Sequence, residues 1–261
     1  MINPFRYLYG PVYSWRLGRS LGIDPLGQQE KICNMNCSYC QLGKTAHLCQ
    51  ERQCYVPTEE IVEELSRIPV QFIDYITISG RGEPTLAQNL GDIIHTIKKT
   101  RHEKIAVITN GILLRQPRVR LDLMAADYVL VKLDAANQKT FEAVDGTNVN
   151  FDEVVDGIAS FRREFAGKLA LQVMLIDNNF DNLDEIACLA RAINPDEIQL
   201  NTPTRPCGDK PIERVRMDYA KKFFWDMPVV SVYDHEQKTY TPIDEQATKA
   251  RHGNYRKTRY Y

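Results

Sequence analysis

Three cysteines, Cys33, Cys37 and Cys40, crowd the stretch KICNMNCSYC. Spacing of the form C-x3-C-x2-C lets one loop wrap three thiolates around a single centre. Structural zinc takes four ligands, usually as paired knuckles, and Cys49, Cys54 or His47 could complete such a set. Iron–sulfur clusters are also commonly held by four cysteines. A cubane gripped by only three keeps one iron without a protein ligand. That iron can bind a small chelating molecule, much as a catalytic zinc keeps an open position. On spacing alone a three-cysteine cluster, a zinc site and inert thiols all stay open.

A second group of residues sits at the ends of apolar runs. In SGRGEPTL, Gly80 and Gly82 flank Arg81 and are followed by Glu83 and Pro84. Two glycines let backbone approach a ligand closely. Pro84 restrains Glu83 to an extended conformation, turning carbonyls outward as acceptors for an ammonium group. A tight turn with a solvated Arg81 and Glu83 explains the same residues. Thr109, Asn110 and Gly111 end another run; Asn-Gly is first a turn signal, yet the carboxyl ends of parallel strands are where such folds build sites. Asp134 could accept from a ribose hydroxyl or cap a helix. Asn201, Thr202 and Arg205 could face a substrate, although Arg205 between Pro203 and Pro206 also fits a rigid turn. Cys207 could donate a hydrogen atom or bind substrate, or be an incidental loop thiol. Cys49, Cys54, Cys188 and Cys207 are too scattered to favour a second cluster, and Cys188 reads as a small, buried helix residue.

The elements that must carry these residues alternate. The runs at 74–80, 104–111, 127–134, 169–176 and 196–202 are short and nearly continuously apolar, as expected of parallel strands covered on both faces. Helical spacing lies between them. Ile61, Leu65 and Ile68 share a face behind a Thr58 N-cap; Leu90, Ile93, Ile94 and Ile97 form a stripe. Asn150 with Glu153, and Asn182 with Glu185, resemble capping boxes. A strand from 21–32 would make six units, too few for a closed eight-stranded barrel and suited to an open doubly wound sheet or a partial barrel. The first ~25 residues show no clear periodicity. A helix at 214–225, a strand at 229–233 and an exposed basic tail containing Arg251, Arg256, Lys257 and Arg259 are expected after the last unit. The reading is a core at 1–210 with a C-terminal helix, strand and tail at 211–261.

Composition removes other classes. With 33 Lys plus Arg against 34 Asp plus Glu, the net charge of −1 writes no general polyanion binding into the chain. No run approaches the roughly 20 apolar residues that span a bilayer, which points to a cytosolic, unexported protein. Seven cysteines, an odd number, make a poor disulfide framework and fit metal or redox chemistry in a reducing setting.

CNMNCSYC resembles the cluster signature of the radical S-adenosylmethionine superfamily, in which an aromatic residue, here Tyr39, precedes the third cysteine. The resemblance implies a 4Fe–4S cluster on Cys33, Cys37 and Cys40, with the amino and carboxylate groups of S-adenosylmethionine on the fourth iron. It also implies contact between the glycine-rich GEP motif and the cofactor's amino group, a partial (β/α)6 barrel, and a low-potential electron donor of the flavodoxin or ferredoxin type. Together with GPVYSWRLGRSLGIDP, ITNGILL and QLNTPTRP, the likeness extends over about residues 10–206 and is similar to a compact branch related to the wyosine-forming tRNA enzymes. Those enzymes carry further cysteines ahead of the signature, whereas this chain has none before Cys33. The implied activity is reductive cleavage of the cofactor to a 5′-deoxyadenosyl radical, which abstracts hydrogen from an RNA base, a peptide or a metabolite. Two rivals stand beside it. One is an activase that installs a radical on a partner protein. The other is a non-catalytic zinc module whose tail, with Tyr255, Tyr260 and Tyr261 among its cations, binds nucleic acid.

Overall fold

The computed structural model describes residues 5–68, 73–236, 238 and 241–252. The chain begins with an antiparallel hairpin, β1 (Leu8–Ser14) and β2 (Gly18–Ile23). A long loop follows that carries only a two-residue parallel pairing, β3 (Ile32–Cys33) with β4 (His47–Leu48). Strand and helix then alternate. The first units are α1 (Thr58–Ser66), β5 (Tyr75–Ile78), α2 (Leu90–Thr100), β6 (Lys104–Thr109), α3 (Pro117–Leu123) and β7 (Tyr128–Lys132). They continue as α4 (Gln138–Asp145), α5 (Phe151–Glu164), β8 (Lys168–Met174), the single turn α6 (Asp177–Phe180), α7 (Leu183–Ile193) and β9 (Glu197–Asn201). The chain closes with α8 (Arg214–Lys221), β10 (Val229–Ser231) and α9 (Glu245–His252).

One eight-stranded sheet runs in the order β1-β2-β5-β6-β7-β8-β9-β10. All pairings from β2 to β10 are parallel and only β1 is antiparallel. The expected α/β partial barrel is therefore present: six units from β2 to β9, extended by β10 at one edge and β1 at the other. Helices account for the parallel register, because a crossover of a dozen or more residues must return the chain to the same end of the sheet. The runs that read as continuously apolar are alternating once folded. Ile105, Val107, Val129, Val131, Leu169, Leu171 and Val173 join the main core with the helices. Ala106, Tyr128, Leu130 and Ala170 point the other way and form a separate cluster with Leu17 inside the curled sheet. Further along that inner face come the polar Lys132 and Gln172.

Several local expectations change. The first 25 residues, aperiodic in sequence, build β1 and β2; a register irregularity between Tyr9 and Val12, around Gly10 and Pro11, erases the period-two signal. Thr58 is not a cap: Pro57 holds that position, and the Thr58 hydroxyl accepts from Asn89 Nδ2 at 3.0 Å. Asn150 caps α5 as expected, accepting the Glu153 N–H at 3.0 Å. Asn182 occupies the cap position of α7, but its side chain accepts from the Thr140 hydroxyl at 3.2 Å. The helix expected over 214–225 stays α-helical to Lys221 and tightens into a 3-10 turn over Lys222–Phe224. Cys188 is exposed on α7, not buried.

Arg251 corrects the reading of an exposed tail. It lies on α9, 10% exposed, and its Nε sits 2.9 Å from Oδ2 of Asp24, which is 1% exposed. The helix docks on β1, where the Gly10 N–H donates to Thr248 Oγ1 at 2.9 Å. The remaining tail residues, Tyr255, Arg256, Lys257, Arg259, Tyr260 and Tyr261, lie outside the described residues. Among the described residues no helix is long and apolar enough to cross a membrane.

Removing one partner of a buried ion pair leaves an uncompensated charge. Arg251→Met is therefore expected to lower the unfolding free energy by roughly 3–5 kcal/mol in urea denaturation. Adding Asp24→Asn to the same chain is expected to recover part of that loss.

Candidate active site

The site starts from two loops laid side by side. The Ile32 N–H donates to the Arg81 carbonyl at 3.3 Å, and the Glu83 N–H donates to the Ile32 carbonyl at 3.1 Å. Gly82, at φ 157°, is required there: a Cβ would stand 1.8 Å from the Ile32 oxygen. At Gly80, φ 129°, a Cβ would stand 2.6 Å from the Asp24 carboxyl carbon. The close approach anticipated from the two glycines is thus first an approach to the cysteine loop and to Asp24. The middle of that loop is pinned to α4, with Asn36 N–H donating to the Asp145 carbonyl and Ser38 N–H to the Val144 carbonyl, both at 2.9 Å.

Glu83 is 2% exposed and its carboxylate is filled. Oε1 accepts from the Thr109 hydroxyl at 2.6 Å, the Thr85 hydroxyl at 2.6 Å and the Thr85 N–H at 3.1 Å; Oε2 accepts from the Asn110 N–H at 2.8 Å. Burial raises its pKa, and these donors counteract only part of that effect. Its backbone is extended (φ −99°, ψ 111°), as the following Pro84 requires, and Pro84 opens the 3-10 turn Pro84–Leu86. Glu83 thereby fixes the ends of β5 and β6 to one another.

These loops and the carboxyl ends of the strands enclose a cavity of about 290 Å³. Cys33, Cys37, Cys40, Tyr39, Gly80, Gly82 and Glu83 line it, as do Thr109, Asn110, Asn201, Thr202 and Arg205. Four expected site residues do not. Arg81 turns away, its Nε donating to the Ala250 carbonyl at 3.1 Å. Pro84 is occupied in the 3-10 turn. Asp134 lies behind the wall, where Oδ2 accepts from the Tyr39 hydroxyl and Oδ1 from the Met174 N–H at 2.5 Å. Cys207 packs behind Tyr39 with Val144 and Ile176, and its Sγ lies 3.3 Å from the Asp209 carbonyl. Thr202 reaches the wall, but its hydroxyl donates to the Leu175 carbonyl and accepts from the Ile212 N–H, both at 2.9 Å.

Among the described residues no three His, Cys, Asp or Glu side chains converge on one point that could hold a metal ion. The three cysteines instead share one cavity wall, while Cys49 and Cys54 lie off it and make local contacts to the carbonyls of Glu51 and Val56. Burial pushes the Cys33 thiol up to about 11 and raises Cys37 well above the ordinary range. A metal centre would therefore displace protons from them. Cys40 is different: Lys31 Nζ lies 3.1 Å from its Sγ and 3.0 Å from the Gly43 carbonyl. Asn110 Nδ2 lies 3.7 Å from Cys33 Sγ and 2.5 Å from Asn34 Oδ1.

Sequence reading passed over several wall residues. Lys132 ends β7 and donates to the Tyr39 hydroxyl at 2.8 Å. Burial alone would lower its pKa, but neighbouring Cys37, Asp134 and Asp145 outweigh it and hold the ammonium above the ordinary lysine range. Asp145 rises to about 8 because it is buried beside Asp134. Arg16, at the tip of the β1–β2 hairpin, donates to Gln172 Oε1 at 2.6 Å. His252 accepts from Arg205 Nη2 at 2.7 Å through Nε2. A lysine inside DYVLVKLD and a glutamine inside LALQVMLI were the available signals, since a polar residue within an apolar strand must face something polar.

Residues 31–190 match the family model described as the radical SAM superfamily. A UPF0026 protein of Synechocystis sp. is 40% identical over 89% of this chain and 88% of that protein. A protein named GTPase Obg, of Brachyspira hyodysenteriae, is 40% identical over 92% of this chain, which spans only 37% of that longer protein. A radical SAM methyltransferase from Sphaerobacter thermophilus superposes with TM-score 0.63 at 16% identity, covering 81% of this chain and 65% of that one. The structure of TYW1 with a lysine-pyruvate adduct bound gives 0.61 at 16%, covering 80% and 74%. At those identities the likeness to the solved structures is one of fold.

His252 carries a pH prediction. Burial first, then the charges of Arg205 and Arg16, pull its pKa from 6.5 to about 3. Below about pH 6.5 the unfolded chain takes up a proton that the folded chain refuses until about pH 3, so stability falls as pH drops through that window. His252→Gln is expected to flatten this fall in urea midpoints measured from about pH 7 to about pH 4.

Proposed function

The chain belongs to the radical SAM superfamily, and on that premise we propose that it holds a 4Fe–4S cluster on Cys33, Cys37 and Cys40 and acts on a substrate bound in the same cavity. Membership makes it a radical SAM enzyme, with S-adenosylmethionine-dependent radical chemistry and an iron–sulfur cluster implied by the family. When bound, the cluster supplies one electron at an iron without a protein ligand, which is the chemistry that breaks the sulfonium to methionine and a 5′-deoxyadenosyl radical able to take hydrogen from a substrate. The observation that carries the reading is the cavity wall: three thiols and the backbone of Gly80 and Gly82 face one space, and the other four cysteines do not.

The chain's own residues then have distinct tasks. Gly80 and Gly82 present backbone at the wall, where it can accept from the cofactor's amino group. Glu83 holds the ends of β5 and β6 in place and is itself saturated, so it acts by positioning. Thr109 and Asn110 also position: the first donates to Glu83 and the second approaches Cys33. Asn201 and Arg205 face the cavity on the side of β9 and are the candidate substrate contacts. Radical SAM enzymes need a reductant, for which we propose an external low-potential donor of the flavodoxin or ferredoxin type. The substrate is an RNA base, a peptide or a metabolite with a hydrogen that can reach this cavity.

Anaerobic reconstitution with iron and sulfide tests the reading. The expected product is a brown protein with about four irons per chain that forms 5′-deoxyadenosine with reductant. Cys33→Ser, Cys37→Ser and Cys40→Ser should each abolish this, while Cys49→Ser and Cys54→Ser should not. A colourless chain that retains one zinc after loading would overturn it.

Lys31 adds a separate expectation. A charge-assisted hydrogen bond to a ligating sulfur stabilises the more negative, reduced centre. Lys31→Met is expected to disfavour one-electron reduction by about tenfold, about 59 mV in midpoint potential, read by spectroscopic redox titration. Lys31→Arg should restore much of the shift.

A further inference from the structure

The cysteine loop has an outer face as well as a cavity face. Cys33 pairs with Leu48 across the short β3–β4 ladder, and the Cys49 N–H donates to the Cys33 carbonyl at 3.0 Å. Cys33 is buried, whereas Leu48 is 64% exposed. An exposed leucine by itself is ordinary; what distinguishes Leu48 is its place directly opposite a cysteine of the C-x3-C-x2-C set. A hollow of about 450 Å³ opens beside the pair. Asn34, Leu48, Cys49 and Gln50 form one side of it, and Glu142 and Asn148, from the last turn of α4 and the turn after it, form the other. Asn34 continues the connection inward, its Oδ1 accepting from the Asn110 amide that lies 3.7 Å from Cys33 Sγ.

The remaining surroundings of the loop are taken. Its inner face is the cavity, which cofactor and substrate fill in the proposed reaction. One flank is pinned to α4 through Asn36 and Ser38, and the stretch before Cys33 lies against the arc from Gly80 to Gly82. An electron from outside needs a way in that does not cross the bound ligands. On the outer face, the hollow reaches the residues bonded to Cys33 directly.

We propose that this face is the docking site of the electron donor, and that the donor is a flavodoxin-type protein that lays the apolar edge of its flavin ring over Leu48 and into the hollow. Of the residues lining the hollow only Glu142 is charged. A wide, nearly uncharged hollow with an apolar rim suits the dimethylbenzene edge of a flavin. The thiolate-bound cluster of a ferredoxin would bring its negative charge against Glu142. Electron-transfer complexes bury little surface, so one apolar contact at the centre carries much of the recognition. In the step itself the reduced flavin loses one electron and the cluster gains it; no bond to this chain forms or breaks. The assignment rests on the proposed cluster for the electron's destination and adds the place where it enters.

The test compares two reductants on the reconstituted chain, reduced flavodoxin and dithionite, and reads the rate of 5′-deoxyadenosine formation. Leu48→Glu and, on the opposite rim, Asn148→Glu should each slow the flavodoxin-driven rate at least about tenfold, while the dithionite-driven rate stays within about twofold. Trp225→Glu, at an exposed residue ahead of the edge strand β10, should change neither. Independently of activity, oxidised flavodoxin should slow amide hydrogen exchange in residues 46–50 and 142–148 of the wild-type chain, and Leu48→Glu should remove that protection. Undiminished flavodoxin-driven rates in both rim variants, an equal fall with dithionite, or protection elsewhere on the chain would overturn the proposal. Slowing seen with ferredoxin and not with flavodoxin would overturn the flavin assignment. Protection of these amides in a chain that never loads a cluster would instead sink the proposed reaction and leave the docking face standing.

Discussion

One buried carboxylate holds the site in shape. Glu83 gathers donors from Thr85, Thr109 and the Asn110 backbone, so the ends of two neighbouring strands cannot move independently. Desolvating a carboxylate costs several kcal/mol, and the four hydrogen bonds are what make its burial tolerable. The consequence reaches the cysteines. Fixing Glu83 fixes the arc from Gly80 to Gly82, which lies against Ile32 one residue before Cys33, and orients Asn110 toward the same cysteine. The cysteine loop has little regular structure of its own and borrows its geometry from strand ends on one side and α4 on the other.

Charge divides the cavity into two regions. Around Tyr39 and Cys37, Lys132 stands with two buried aspartates, and burial, then the neighbouring Asp134, raises Asp145 well above the usual carboxylate range. Toward β9, Arg16 donates to Gln172 and Arg205 to Gln41 at the cavity wall.

The C-terminal segment belongs to the site as well as to the fold. A parallel sheet curled only part of the way round leaves two edges, and β10 extends one while α9 docks across β1 at the other. Arg251 and His252 reach the cavity wall from α9, which brings that helix and the β1–β2 hairpin to the same space. Their placement depends on an ion pair between residues 24 and 251, a partnership that no local pattern could announce.

How much of this was legible follows from the range of each interaction. Cysteine spacing, the glycine pair before Glu83 and the strand–helix alternation are local, so the metal-ligand candidates, an open sheet or partial barrel of α/β units and most helix faces could be read directly. The same locality misjudged Thr58 and Asn182, whose side chains serve Asn89 and Thr140 instead of their own helices. Nor could it show that Arg81 reaches Ala250 and Asp134 reaches Tyr39 and Met174, since those neighbours are far away in sequence. The sequence by itself determined that three thiols share one loop, that a glycine-rich segment ends an apolar strand and that strand and helix alternate. Only the tertiary structure decided which polar residues turn inward, since Lys132, Gln172, Arg16 and His252 come from separate elements that become neighbours once the sheet curls.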